Sequence, residues 1–206
     1  MDTRAELLLA AERLFAEHGI DGVSLRQVAA GAGQRNVAAT HYHFGDKHKL
    51  ITAIFTHRLA DIDQRRDELF DIARARGRDR DPWHLAAVLA RPFAEQAARP
   101  GSHYARFVAR LYDHVGRTVA ELPGYGLVGS AVPVIARLEE LLTEQVSVEV
   151  ARFRLELGAR LLITGAADLE AHARSSADGL DEQRLTWLID AIAGVLTAPG
   201  AAVGAP

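Results

Sequence analysis

The sequence predicts an all-α protein, and three observations support that prediction. Apolar residues recur at helical spacing through most of the 206 residues, and the first such face comprises Leu7, Ala11, Leu14 and Phe15. Glycine, proline and capping residues divide the pattern into segments of helical length. No segment alternates apolar and polar residues as a half-buried strand does. We therefore expect about nine helices, arranged as an N-terminal three-helix head and a C-terminal helical bundle.

The first two helices are predicted from their ends. Gly19 is expected to end the first, since glycine readily takes the left-handed conformation that closes a helix. Ser24 and Gln27 begin the second with the spacing of a capping box, in which each side chain accepts the other residue's backbone N–H. Val23 and Val28 have the spacing of a hydrophobic staple. On the first helix we expect a solvated polar face that carries Glu6, Glu12, Arg13 and Glu17.

A third and a fourth helix are predicted on either side of Gly45. Asn36 can cap a third helix from Val37 to about His43. Gly45 and Asp46 then end that helix and cap the next one. The fourth helix begins directly after Asp46, and its apolar pattern continues past residue 60.

The remaining helices are predicted from caps and prolines. Asp81 followed by Pro82 opens a helix through about Ala98, because proline suits the first helical position. The segment "ELPGYGLVG", residues 121–129, is expected to be a loop. Further helices are predicted from about Ser102 to Val115, from Ser130 to Val146, from the Ser147 cap to about Arg174, and from Glu182 to about Thr197. Residues 199–206 are expected to be a mobile tail.

The composition excludes several classes of protein. With 49% apolar and 25% charged residues, the chain resembles neither a disordered nor a fibrous protein. It has no cysteine, which rules out disulfides, thiolate catalysis and cysteine-bound zinc. Its apolar runs are too short to span a membrane, and the N-terminus has no signal-peptide pattern. We expect a cytoplasmic protein that needs no metal or cofactor.

Charge is distributed unevenly along the chain. From Ser24 to Arg58, five basic residues face Asp46 alone, a balance of five minus one, or +4. From Leu59 onward, 17 basic residues face 21 acidic ones, or −4. A basic segment on an acidic body indicates an anionic partner at one end, although a solvated basic face without a partner is an alternative.

Short helices separated by Gly31–Ala32–Gly33 have the layout of a helix-turn-helix, whose second helix enters the major groove of DNA. The fourth helix begins with Lys47, His48 and Lys49, although the positive end of a helix dipole disfavours cations. A DNA phosphate at that end would explain their presence. Around the predicted recognition helix lie side chains able to bind bases or phosphates: Gln34, Arg35, Asn36, Thr40, His41, Tyr42 and His43.

The segments "AAERLFAEHGIDGVSLRQVAAGAG" and "YHFGDKHKL" resemble the DNA-binding domain of the tetracycline-repressor (TetR) family, over Ala5 to Leu59. The resemblance implies that Tyr42, His43 and Lys47 contact the operator backbone and that Ser24 lies near a phosphate. The turn "GQRNVAATHY" is one residue longer than usual for the family. Gln34, Arg35 and Asn36 are therefore expected to fill the turn, and the residues expected to face bases are Ala38, Ala39, Thr40 and His41.

The resemblance also implies a body that dimerises and binds a small molecule. Members of the family dimerise through their last two long helices, which here carry Leu157, Leu161, Leu185, Leu188, Ile189, Ile192 and Val195. An ordinary core within one chain is the alternative for these residues. The family's middle helices enclose a ligand cavity, for which the candidates here are Trp83, Phe93, His103, Phe107, Tyr112, Tyr125 and Phe153.

We therefore predict a DNA-binding domain at 1–60, an effector-binding and dimerisation domain at 61–198, and the tail. The predicted function is that of a homodimeric transcriptional repressor, released from a palindromic double-stranded DNA operator by a small-molecule effector. Three alternatives stay open. They are an activator of the same family, a ligand-binding or interaction protein with a degenerate helix-turn-helix, and an enzyme fused to a DNA-binding head.

Overall fold

A computed structural model of the chain describes residues 2–34, 42–125, 129–176 and 179–199, and within these ranges it contains helices and no strand. The α-helices are α1 (Thr3–His18), α2 (Leu25–Gly31), α3 (Lys47–Ala75), α4 (Pro82–Ala97), α5 (Tyr104–His114), α6 (Ala131–Thr143), α7 (Val148–Ser175) and α8 (Glu182–Thr197). The predicted all-α class is confirmed.

The predicted end signals of α1 and α2 are confirmed. Gly19 has a φ of 77° and donates its N–H to the carbonyl of Phe15, which ends α1. At the start of α2, the backbone N–H of Ser24 donates to Gln27 Oε1 at 2.8 Å, and the Gln27 N–H donates to Ser24 Oγ at 3.3 Å. This reciprocal pair is the predicted capping box.

Other elements agree with the sequence prediction to different degrees. The last helix begins and ends at the predicted residues, and Ser147 caps α7 as expected. Residues 42–44 are helical, whereas the rest of the predicted third helix lies outside the described residues. The predicted tail also lies outside them beyond Pro199. The predicted loop differs, since a 3-10 helix occupies Val119–Tyr125.

The head and the middle helices share one apolar core. The ring of Phe15 on α1 lies 6.1 Å from that of Phe107 on α5. Phe55 on α3 lies 5.3 Å from the same Phe107 ring. Helix α3 is continuous through residue 60, where we predict a domain boundary. Burial of these aromatic rings holds the head against the body. A second apolar cluster is formed mainly by α4, α6, α7 and α8.

Glu12 is buried, contrary to the sequence prediction that it lies on a solvated face. Its side chain is 2% exposed and accepts from Arg58 Nε at 2.7 Å and from Arg58 Nη2 at 2.9 Å. The backbone N–H of His103 also donates to Glu12 Oε1, at 3.1 Å. Helical period does not reveal a partner 46 residues away, which is why the prediction was wrong. Arg58 is thereby neutralised and adds little to the positive charge of the basic segment.

A second buried carboxylate, Glu170 on α7, binds the start of α5. Helix α5 lacks a side-chain cap of its own, and Glu170 accepts the backbone N–H of Ala105 at 3.0 Å and that of Arg106 at 3.2 Å. Burial raises the pKa of Glu170 to about 7, against the effect of these two hydrogen bonds. Glu12 and Glu170 thus bind adjacent stretches of backbone, from α1 and from α7.

The first prediction concerns the buried ion pair. Glu12→Gln should lower the free energy of unfolding by about 3 kcal/mol, because Arg58 would keep a buried charge without its partner. Urea denaturation measures this change. Glu17→Gln, on the exposed side of the same helix, is the control and should change stability little. Equal effects of the two substitutions would contradict the role of the pair.

The second prediction concerns pH. Glu170 binds its proton more tightly in the folded state, so between about pH 4.5 and 7 the folded chain holds one proton more than the unfolded chain. The free energy of unfolding should therefore fall as pH rises through this window, by roughly 3 kcal/mol from this group. Glu170→Gln should remove that part of the pH dependence. Parallel curves for wild type and variant, from urea denaturation at each pH, would contradict the raised pKa.

Candidate nucleic-acid interface

The turn after α2 is anchored to α1. Gly33 takes a φ of 69°, a left-handed conformation that glycine adopts without strain. The next residue, Gln34, donates from its side-chain amide to Glu6 Oε2 at 3.2 Å. Gln34 was expected to fill the turn with a side chain able to bind bases or phosphates, and in the structure its amide contacts α1. This hydrogen bond fixes the position of Gln34 relative to α1.

Several predicted DNA-contacting residues lie outside the described residues. They occupy the segment 35–41, between the turn and the helical residues 42–44. Their assigned contacts with backbone and bases stay predictions. These residues are Arg35, Asn36, Ala38, Ala39, Thr40 and His41.

The aromatic residues that follow point in different directions. Phe44 is buried in the head core, and the guanidinium carbon of Arg4 lies 5.4 Å from the centre of its ring. Tyr42, two residues earlier, is 87% exposed. Its ring contacts the neighbouring His43 ring edge-to-face, with 5.4 Å between centroids. The Tyr42 ring and hydroxyl are therefore accessible from solvent, whereas Phe44 belongs to the core.

The first turn of α3 combines cations with a capping carboxylate. Gly45 has a φ of 75°, and Asp46 then accepts the backbone N–H of Lys49 at 2.8 Å. That hydrogen bond is the main cause of the lowered pKa of Asp46. The ammonium of Lys49 also lies 3.5 Å from Asp46 Oδ2, and both side chains are exposed. The cap offsets part of the unfavourable placement of lysines at this helix end.

Lys47 extends towards the loop after α1. Its Nζ donates to the backbone carbonyl of Ile20 at 2.9 Å, and the residue is half-buried. An ammonium has three N–H donors, so this bond leaves two for another acceptor. The side chain thus braces α3 against the Gly19–Val23 loop.

A segment of the body reaches the same end of α3. The ring of Tyr125, at the end of the 3-10 helix, stacks on His48 with 4.6 Å between centroids and 33° between planes. Tyr125 was predicted to line a ligand cavity, and the structure places it against the head. The body is therefore in direct contact with the residue between the two lysines.

The other predicted pocket residues do not converge on one site. Phe93, Phe107 and Tyr112 are buried, and His103 is half-buried near the head. Phe153 is 64% exposed. Trp83 lies at the surface, where its Nε1 donates to Asp190 Oδ1 at 2.6 Å and joins α4 to α8. The structure also buries three polar residues that the sequence analysis did not single out. They are Arg66 on α3, Gln96 on α4 and Tyr104 on α5.

The predicted dimer residues divide into two groups. Leu185, Ile189 and Ile192 are buried within the single chain, which favours the alternative of an ordinary core for these three residues. A Cβ on Gly165 would lie within contact of Leu188, which shows that this glycine lets α8 of the same chain approach α7. The half-buried group remains available at the surface and comprises Leu157, Leu161, Leu188 and Val195.

Two shallow clefts lie at the surface of the described residues, and of the predicted pocket residues only His103 lines one of them. One, of about 350 Å³, separates α1 and the end of α2 from the Gly101–His103 turn. The other, of about 180 Å³, lies beside Trp187 and Arg184 on α8. Within the described ranges, no group of three or more histidine, aspartate or glutamate side chains is placed to hold a metal ion. Nor does any helix there have the length and apolarity to cross a membrane.

A family model described as bacterial regulatory proteins, tetR family, matches residues 7–54. The chain is 43% identical over 54 residues to the HTH-type transcriptional repressor AcnR of Corynebacterium efficiens, a match covering 26% of this chain and 28% of that protein. It is 36% identical over 92 residues to the HTH-type transcriptional regulator BetI of Brucella anthropi, covering 44% of each. The chain thus spans less than half the length of these curated relatives.

Solved structures are similar over nearly the whole chain. A mutant of HlyIIR has a TM-score of 0.58 at 18% identity, covering 96% of each chain. The fatty acid degradation regulator FadR from Bacillus halodurans has a TM-score of 0.57 at 17% identity, covering 95% of each. These similarities show that the chain shares the fold of these two proteins over the body as well as the head.

Gly45 provides a test of the geometry at this surface. Gly45→Ala should lower the free energy of unfolding by about 1 kcal/mol, because a φ of 75° crowds a Cβ against the backbone. Thermal and urea unfolding measure the loss. Gly124→Ala is the control, since nothing lies within 4 Å of its added Cβ and its φ is not positive. If the Gly45→Ala variant has the same free energy of unfolding as the wild type, Gly45 does not have the left-handed conformation described here.

Proposed function

We propose that the chain is a member of the tetR family of bacterial regulatory proteins, whose model matches residues 7–54, and that it is a homodimeric repressor that a small-molecule effector releases from DNA. The observation that carries the proposal is the surface at the start of α3. There, the 87% exposed Tyr42 ring lies in the same head as the Lys47 and Lys49 ammonium groups. An aromatic hydroxyl and two cations within five to seven residues of it along the chain fit a phosphate backbone.

The proposed contacts divide by the part of DNA that they bind. Tyr42, His43 and Lys47 contact phosphates, and Ser24 at the start of α2 lies near another. These contacts fix the orientation of the head and carry little sequence information. The segment 37–41 is proposed to enter the major groove and to distinguish base pairs. Gln34 supports that segment through its bond to Glu6.

The proposed dimer follows from the size of the head. One short recognition helix reads few base pairs, and a two-fold dimer reads two half-sites about 34–36 Å apart on a palindromic operator. Helices α7 and α8 offer exposed apolar side chains for the interface. Phe153 and Trp187 are 64% and 59% exposed, and the half-buried Leu157, Leu161 and Leu188 lie on the same two helices. We propose that these exposed side chains form the interface, in place of Leu185, Ile189 and Ile192, which the core of the single chain buries.

Repression is proposed because AcnR, whose head is similar, is named a transcriptional repressor. A dimer bound over a promoter blocks transcription, and an effector that favours another spacing of the heads would release it. Activation by the same dimer is the alternative outcome. We further propose that the protein acts in the cytoplasm, where its operator is, and by binding rather than catalysis.

DNA binding tests the phosphate contacts. Lys47→Ala should weaken binding to operator and to random DNA alike and reduce the salt slope of the affinity by about 1, since one phosphate contact is lost. Tyr42→Phe should weaken both without changing the slope as much, because it removes a neutral donor. Fluorescence anisotropy with the upstream region of the protein's own gene, at several salt concentrations, measures both effects.

Arg152→Ala is the matched control, since Arg152 is an exposed cation of the body paired with Glu139. It should leave affinity and salt slope unchanged. Because Lys47 also braces the Gly19–Val23 loop, unfolding curves of the variant must be recorded beside the binding data. Unchanged affinity of the folded Lys47 variant at every salt concentration would overturn the phosphate assignment. Failure of the wild-type protein to bind any duplex would overturn the function.

A further inference from the structure

The turn after α5 contains a residue in a strained backbone conformation. Among the described residues, Arg117 is the one residue other than glycine with a positive φ, which is 63°. Gly116 before it has a φ of 78°, and the Arg117 N–H donates to the carbonyl of Tyr112 at 2.9 Å, which closes the helix end. A side chain crowds the backbone in this left-handed conformation, and residues that keep such strain cluster at functional sites.

The guanidinium of Arg117 is exposed and only partly engaged. Its Nε donates to Asp113 Oδ1 at 2.9 Å, and the side chain is 69% exposed. This is the one hydrogen bond that the side chain makes to another described residue, so both Nη atoms keep their N–H donors free for a further acceptor. Asp113, one turn earlier on α5, therefore orients the fork with which arginine binds phosphates.

Helix α5 runs alongside α1 and ends beside the loop that follows α1. Arg110 Nε donates to the carbonyl of Ala16 at 3.4 Å. Four residues further along α5, His114 Nδ1 lies 3.0 Å from Asp21 Oδ2. Because the contacts advance along both segments in the same direction, α5 ends at the same end of the molecule as the Gly19–Val23 loop.

That end of the molecule also holds Lys47, one of the proposed phosphate contacts. The loop that His114 reaches is the loop whose Ile20 carbonyl accepts from Lys47 Nζ at 2.9 Å. Later in the chain, the ring of Tyr125 stacks on His48, the residue after Lys47. The segment between His114 and Tyr125 is thus held at both ends close to the start of α3, and it contains Arg117.

The acidic residues near Arg117 leave it able to bind an anion. Asp113 holds the guanidinium through one N–H, in an exposed pair that water screens. Asp21 is occupied by His114, and Glu121 is exposed four residues further along the chain. Duplex DNA presents a phosphate charge for about every 1.7 Å of its axis, a far denser array of acceptors than a single carboxylate.

We propose that Arg117 is a DNA-binding residue contributed by the body, and that it contacts a phosphate near the one that Lys47 binds. The inference rests on the proposed function, which supplies the DNA. A phosphate contact carries no sequence information but fixes orientation. Arg117 therefore adds affinity for any duplex and holds the end of α5, as well as the head, against the phosphate backbone.

Arg117→Gly tests the contact, because glycine adopts a φ of 63° without strain and so preserves the turn. The affinity for a random duplex and for the upstream region of the protein's own gene should fall by about threefold or more at low salt. The salt slope of the affinity should decrease by about 1 per head, since one phosphate contact is lost. Fluorescence anisotropy measures both effects. Arg117→Asn, whose side chain also tolerates the left-handed conformation, should reproduce them.

Two control variants separate a contact from a general effect of charge. Arg76→Gly removes the same charge from the far end of the 29-residue α3, about 43 Å from Lys47, and should change neither affinity nor slope. Glu121→Gln changes an exposed charge in the same segment as Arg117, and its gain in affinity should be clearly smaller than the loss from Arg117→Gly.

The outcomes distinguish this inference from the proposed function. If Lys47→Ala weakens binding while Arg117→Gly and Arg117→Asn behave like Arg76→Gly, the body makes no phosphate contact here and the inference alone fails. A loss from Arg117→Gly no larger than the gain from Glu121→Gln would indicate a diffuse charge effect and would also overturn it. If the wild-type protein binds no duplex, the proposed function fails, and this inference fails with it.

Discussion

The buried carboxylate of Glu12 is the interaction on which the arrangement of the molecule depends. It binds Arg58 of α3 and the backbone N–H of His103, and so it joins the head, the long third helix and the turn before α5. A buried charge tolerates little movement of its partners, because any lost hydrogen bond leaves part of it uncompensated. Around it, the rings of Phe15, Phe55 and Phe107 form one core that belongs to head and body alike.

This shared core has a consequence for regulation. Helices α1 and α3 set the direction in which Tyr42 and Lys47, the proposed phosphate contacts, point, and both helices are fixed against α5. A change in the body can therefore reorient the DNA-binding surface only by moving a packed element as a unit, since packed interiors have discrete arrangements. Tyr125 and Ser130, which lie between α5 and α6, both contact α3, at His48 and at Arg66. A movement of either residue would therefore act on α3.

Local features of the fold were predictable from the sequence, and features that depend on distant partners were not. The capping box at Ser24 and the ends of α8 follow from residues within one or two turns, so their signals are complete in the sequence. The burial of Glu12 depends on Arg58, and the inward position of Leu185 depends on how α8 packs. A periodic pattern shows that a face is apolar, but not which surface covers it. In the sequence, Tyr104 looks like any core aromatic. Only the three-dimensional structure shows that its hydroxyl is buried without a hydrogen-bond partner.

Native-state hydrogen exchange of the full chain tests the central claim most directly. If head and body share one core, the slowest amides of α1 exchange only by global unfolding, with the same opening free energy as those of α5. Both sets should then respond equally to low concentrations of urea. Opening of α1 at a clearly smaller free energy, while α5 stays protected, would show that the head unfolds on its own and would contradict the account.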